Sequence, residues 1–326
     1  MHDAVLFPLR PAGGRSSARS PASLAAVTST RRGTLYGAAA YLMWGLFPLY
    51  WPLLRPAGSL EVLAHRIVWS LVVVLALLAL TRRLPAVRAA VADRRRLAML
   101  TLAAVVIAVN WVTFIWGVTH DRVVEVSLGY FVNPIVTVLL GVVVLGERLR
   151  PAQWVALGAA GVAVVVLTVE NGRPPWLALV LAFSFATYGL LKKTAGVGAV
   201  EGLVVETAVL LPVAAGYLAL LGVSGAGTFG TEGPGHAVLL ALSGLVTAVP
   251  LLAFGAAASR VTLTTLGLLQ YLAPTIQFVL GVTLFGEPLP LAKLVGFLLV
   301  WSGLALFTAD LVRSSRARRL AVAAPA

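Results

Sequence analysis

Two sets of five apolar stretches, each long enough to cross a bilayer, repeat along this chain at a constant spacing of 140 residues. Glu61 answers to Glu201, Phe114 to Phe254, Leu128 to Leu268 and Pro134 to Pro274. Gly141, Gly146 and Glu147 answer to Gly281, Gly286 and Glu287, and Glu170 to Asp310. The spacing never shifts, so the two halves keep nearly the same loop lengths. Five is odd, so the second half must enter the membrane from the side opposite to the first. Inverted repeats are typical of secondary transporters, which bind their solute between the halves near the bilayer midplane.

Composition agrees with a chain whose solvent is lipid. Apolar residues make up 60% of the 326 and charged residues only 11%, and the mean hydropathy is +0.95. A soluble domain of this size would need a far more polar surface. The expected class is an all-α polytopic membrane protein with ten transmembrane helices, arranged as two inverted five-helix repeats. The expected spans are 34–54, 62–80, 97–118, 123–145 and 152–169, then 175–192, 200–221, 236–259, 264–285 and 290–311. Each is close to the ~20 residues a helix needs to cross the hydrocarbon. The corresponding divisions are a basic, disordered tail over 1–33, repeats over 34–170 and 174–311, and a second basic tail over 312–326.

The net charge of +13 would suggest nucleic acid in a soluble protein. Its distribution argues for orientation instead. Of the 25 basic residues, 20 fall on one face, in the two tails, the loop from Arg82 to Arg96, and Arg148, Arg150, Lys192, Lys193 and Arg260. The other face has Arg55, Arg122, Arg173 and Lys293, while Arg66 lies inside a span. The positive-inside rule then puts both termini in the cytoplasm and leaves no reason to expect a nucleic-acid partner. Thr30-Arg31-Arg32 ahead of an apolar run reads as an anchor for the first helix more readily than as an export signal, because nine further spans follow.

Several chemistries are excluded. The chain has no cysteine, and His2, His65, His120 and His236 show no ligand spacing, so neither a disulfide framework nor a metal site is expected. No phosphate-binding glycine loop occurs, and no connection could house a nucleotide-binding domain. No cofactor and no catalytic residue is expected. Transport would be driven by an ion gradient, by exchange or by the solute's own gradient.

Pro134 and Pro274 mark the expected centre. Each lies about 10 residues into its span, roughly 15 Å at 1.5 Å per residue. Proline frees a carbonyl and bends a helix, and such breaks persist in lipid where protein or a watery cavity satisfies the backbone. A matched pair beside Tyr130 and Asn133 in one half, and Gln270, Tyr271 and Gln277 in the other, favours a cavity over simple packing kinks. Arg66 either snorkels to the headgroups or faces that cavity. Asn110 and Trp111 of the third span join the expected lining. Glu206, and with it His65, is the expected proton carrier, since burial raises a carboxylate's proton affinity; the competing role for Glu206 is as counter-ion to Lys192 or Lys193. The fifth and tenth spans have few polar side chains, so they are expected to face lipid, the other half or a second subunit, which leaves a homodimer open. Gly141 and Gly281 allow close helix approach.

Several segments carry a resemblance to a known family. They include Ala40-Tyr-Leu-Met-Trp-Gly-Leu-Phe-Pro48, Ala64-His-Arg-Ile-Val-Trp-Ser70 and Ser127-Leu-Gly-Tyr-Phe-Val-Asn-Pro134. In the second half they are Leu181-Ala-Phe-Ser184 with Tyr188-Gly189, Gly267-Leu-Leu-Gln-Tyr-Leu-Ala-Pro-Thr275 and Phe285-Gly-Glu-Pro288. Together they resemble the RarD branch of the EamA-domain transporters, in the drug/metabolite transporter superfamily. The resemblance runs from about residue 33 to 311. It implies two EamA repeats, an inner (plasma) membrane location and a permease for a small organic metabolite or drug-like solute. An integral-membrane enzyme and a passive channel or scramblase are the competing classes; His65 with Glu206 or Glu125 is too thin a set for an enzyme.

Overall fold

The computed structural model describes residues 21–146, 151–258, 260–261 and 269–323. Among them there is helix and turn but no strand. The helices are α1 (Pro21–Gly45), α2 (Phe47–Tyr50), α3 (Ser59–Thr81), α4 (Leu84–Ala92), α5 (Arg94–Thr119) and α6 (Val123–Leu145). They continue with α7 (Pro151–Asn171), α8 (Trp176–Ala195), α9 (Ala199–Ser224), α10 (Pro234–Ala258), α11 (Leu272–Thr283) and α12 (Leu291–Ala323). Six stretches among the described residues, in α3, α5, α6, α9, α10 and α12, are long and apolar enough to cross a membrane, and shorter apolar helices cover 154–170, 176–192 and 272–283. The protein is therefore a multi-pass membrane protein.

The helix starts reproduce the sequence spacing. Ser59 and Ala199, and Arg94 and Pro234, open helices 140 residues apart. The packing follows the same relation. α3 packs on α10 and its counterpart α9 on α5; α5 packs on α8 and its counterpart α10 on α1; α6 packs on α8 and α11 on α1. Counterparts also meet directly, as α3 with α9, α6 with α11 and α7 with α12. α7 and α12 thus bury apolar faces on each other, with Ala160, Ala163 and Leu167 in the same cluster as Phe297, Val300 and Leu304.

Close approach sets the α3–α10 contact. A Cβ on Gly244 would overlap the backbone of Trp69 and Ser70, and Ser70 Oγ donates across the gap to the Gly244 carbonyl at 3.4 Å.

Four local expectations change. The stretch 34–54 is not one helix: α1 runs from Pro21 to Gly45, and Leu46 separates it from the one-turn α2 and a 3-10 turn over Trp51–Leu54. Pro48 and Pro52 supply the reason, since neither has the amide a continuous helix would use. Residues 21–33, expected in a disordered tail, belong to α1, and α12 continues past 311 to Ala323. The basic loop after α3 contains α4, whose Val87 and Ala90 are buried. Pro134 lies inside the unbroken α6, whereas Pro274 sits in the first turn of α11, where the missing amide costs little. Glu147, Arg148, Arg150 and Leu268 of the repeat and charge pattern lie outside the described residues.

Candidate functional site

A cavity of about 380 Å³ opens where the halves meet. The first half contributes Arg66 from α3, Asn110, Trp111 and Phe114 from α5, and Tyr130 and Asn133 from α6. The second contributes Phe185, Tyr188 and Lys192 from α8, Phe254 from α10, and Gln270, Pro274 and Gln277 at α11. Tyr41 and Trp44 of α1 complete an aromatic wall. The helical repeat explains the placement: Tyr130 and Asn133 are three apart, and Phe185, Tyr188 and Lys192 follow the same stripe.

Arg66 is 3% exposed and its charge is held by rings. The guanidinium carbon lies 4.0 Å from the Trp111 ring centre, 5.2 Å from Trp51 and 5.8 Å from Phe47. Such a contact stabilises a desolvated cation by about 2 kcal/mol. Among the described residues Arg66 forms no ion pair, and its Nε has no hydrogen-bond partner. The snorkelling alternative is thereby set aside. His65, one residue earlier, points about 100° away around the helix. Its ring stacks on Phe229 at 4.8 Å, outside the cavity wall, and neither of its nitrogens has a partner.

Asn110 is a tie between helices. Its Nδ2 donates to Ser184 Oγ at 2.9 Å and to the Leu181 carbonyl at 3.1 Å, and its Oδ1 accepts from the Tyr130 hydroxyl at 3.0 Å. Asn133 differs. It is 7% exposed and its Oδ1 has no partner. Gln277 matches that pattern from the other half: Nε2 donates to the Trp44 carbonyl at 3.1 Å, leaving Oε1 without one.

Glu206 is 2% exposed and stands one layer behind the wall. Lys192 Nζ lies 2.7 Å from Glu206 Oε1, and the Tyr188 hydroxyl donates to Oε2 at 3.1 Å. The counter-ion role is thus the one the geometry displays, and Lys192 and Tyr188 link Glu206 to the cavity. Tyr271 is the member of the expected lining that the wall omits. It packs on the cluster of α6, α7 and α12, because consecutive residues in the turn before α11 face different sides. Tyr41, Trp44, Phe185 and Phe254 went unanticipated, since an aromatic in an apolar helix looks the same whether it faces a core or a cavity.

Three carboxylates outside the cavity join the halves. Glu287 accepts from the amides of Val123 and Val124, the latter at 3.0 Å, and so caps α6. Burial pushes the Glu287 carboxyl above its ordinary range, while those amides draw it back only partly. Glu61 at the start of α3 accepts from the amide and hydroxyl of Thr228, after α9, at 2.7 and 3.0 Å. Its repeat mate Glu201 meets Arg83, after α3, at 3.4 Å. Among the described residues no cluster of His, Asp or Glu has metal-binding geometry.

Comparison with known proteins bears on what this cavity is for. Residues 31–169 match the EamA-like transporter family. Protein RarD of Streptomyces exfoliatus is 57% identical over 298 residues, covering 90% of this chain and 94% of its own. The uncharacterized transporter YojE of Bacillus subtilis is 40% identical over 294 residues, covering 89% and 98%. A solved crystal structure with 20% identity and a TM-score of 0.53 spans 88% of this chain and 98% of its own, a likeness of fold alone.

Proposed function

The chain belongs to the RarD group of EamA-type transporters in the drug/metabolite transporter superfamily, and from that premise we propose that it is a secondary transporter of a small organic solute, working by alternating access around the cavity. The carrying observation is the enclosure itself: Arg66, Asn133 and Gln277, each at least nine-tenths buried, line it amid apolar helices, and each keeps a buried polar atom without a hydrogen-bond partner. Unsatisfied polar groups in lipid cost several kcal/mol each, so their retention favours a solute-binding role. The cavity size also falls in the ordinary range for small-molecule sites.

In this reading ten spans form two inverted repeats, with both termini cytoplasmic in the plasma membrane. The reciprocal helix packing and the 20 basic residues on one face support it. Coupling is to protons or to exchange. Glu206 and Lys192 form a neutral pair, so a proton taken up by Glu206 would loosen Lys192 and add a cation to the wall.

The test is flux into proteoliposomes. A thermal-shift screen of purified protein identifies a solute, since a ligand of the folded state raises its stability. Saturable flux that a pH gradient accelerates supports proton coupling. Saturable flux stimulated only by solute on the far side supports exchange. Unsaturable flux would mean a passive channel or scramblase and would end the proposal.

A further inference from the structure

Charge is distributed unevenly around the cavity wall. Two basic side chains reach it, Arg66 and Lys192. Lys192 is neutralised by Glu206 at 2.7 Å. Arg66 has only the faces of Trp111, Trp51 and Phe47, and no ion pair among the described residues. Ring quadrupoles soften the cost of burying a guanidinium, but they neither cancel its charge nor accept its N–H groups. An uncompensated buried cation is strongly unfavourable until an anion arrives.

From this arrangement we infer that the solute is an organic monoanion with a flat apolar body, its carboxylate seated on the Arg66 guanidinium and its body against the aromatic wall. The inference rests on the transport reading above and names the substrate class of that cavity. Three features carry it. A carboxylate matches the planar fork of a guanidinium with two parallel hydrogen bonds, at least one of which Nε has free. A single negative charge brings the wall to neutrality, whereas a phosphate dianion would leave an excess charge in a low-dielectric site. The wall offers Tyr41, Trp44, Phe114, Phe185 and Phe254 to a ring, and aromatic pairs prefer offset or edge-to-face contact.

The polar atoms left over refine the class. Asn110 has both its amide nitrogen and its oxygen engaged within the protein, so it serves as scaffold. Asn133 Oδ1 and Gln277 Oε1 are free acceptors, one from each half. A solute with an N–H or O–H donor in addition to its carboxylate satisfies them and would bridge the halves, which a solute lacking donors cannot do.

Matched probes decide it. We would titrate purified wild-type protein by calorimetry with 4-hydroxyphenylacetate, indole-3-acetate and 2-naphthylacetate, each beside its primary amide and its amine. The carboxylates should bind at least about tenfold more tightly than their amides and tighter still than the amines. Arg66→Gln should bring each carboxylate down to the affinity of its amide while changing the amide little, and Arg66→Lys should keep the order. If Arg66→Gln fails to yield monodisperse protein, the wild-type order alone decides. An amide or amine that binds as tightly as its carboxylate overturns the inference, as does a preference that survives Arg66→Gln, or no binding by any probe. None of these results touches the transport reading, which fails only if flux proves unsaturable.

Discussion

Lys192 on α8 and Glu206 on α9 form a 2.7 Å ion pair directly over Gly202. A Cβ on Gly202 would occupy the place of the Lys192 ammonium, so the absence of a side chain on α9 is what lets the lysine reach its partner. Removing Lys192 alone strands a carboxylate that is 2% exposed, and breaking a buried pair from one side costs about 3–5 kcal/mol. Lys192→Met should therefore lower the unfolding temperature sharply, and Lys192→Met with Glu206→Gln should restore most of it. Gly202→Ala should also part the lysine from Glu206, with a smaller loss of stability than Lys192→Met, because the displaced lysine is flexible. Thermal unfolding measured on all three variants checks this.

Glu206→Gln alone keeps the shape and removes the charge change. It should abolish flux driven by a pH gradient while solute exchange continues. Full pH-driven flux in that variant would make Glu206 structural and favour exchange with a counter-solute.

Asn110 and Asn133 should separate stability from affinity. Asn110→Leu removes a donor to Ser184 and Leu181 and an acceptor for Tyr130, a loss of about 1–3 kcal/mol for the groups stranded. Asn133→Leu leaves no protein acceptor or donor unpaired at Oδ1, so unfolding temperature should hold while solute affinity falls. Equal effects on both quantities in both variants would contradict the distinction.

Topology is open to direct labelling because the chain has no cysteine of its own. Ser224 ends α9 and Arg88 lies on α4, both exposed. With cytoplasmic termini, a cysteine at Ser224 should react with an impermeant reagent applied outside and one at Arg88 should not. The reverse pattern inverts the assignment.

Glu287 gives a pH signature. Burial holds its carboxyl above the ordinary range, so the folded chain binds a proton there more readily than the unfolded one. Its contribution is fully present below the unfolded value of about 4.3 and is lost as pH rises through the raised folded value. Unfolding temperature should fall over that interval in the wild type, with a flatter profile in Glu287→Gln. Parallel profiles would rule this out. Glu287→Ala should cost about 1 kcal/mol through loss of the cap, more at low pH than above the raised folded value, because the wild-type contribution itself declines over that interval.

The apolar framework was legible because lipid leaves helix as the only economical backbone, and the 140-residue ladder predicts counterpart helix starts such as Ser59 and Ala199. Polar residues amid apolar neighbours also announced themselves, which is why Arg66, Asn110, Asn133 and Gln270 were legible as lining. The break near Leu46 was hidden by an apolar run that outweighed Pro48 and Pro52. The buried stripe of α4 was masked by its arginines. Glu61 with Thr228 and Glu287 with Val123 depend on tertiary placement, and no local pattern in either segment foretells the partner.

The cap on α6 has a consequence for biosynthesis. The amides of Val123 and Val124 find their carboxylate 164 and 163 residues further along the chain. While the ribosome is still making the second half, α6 lacks the group that completes its first turn. The first repeat is thus inserted before it is finished, and its last stitch is placed from the connection that precedes the final helix. A ribosome stalled before Glu287 would present a half that is threaded but not closed.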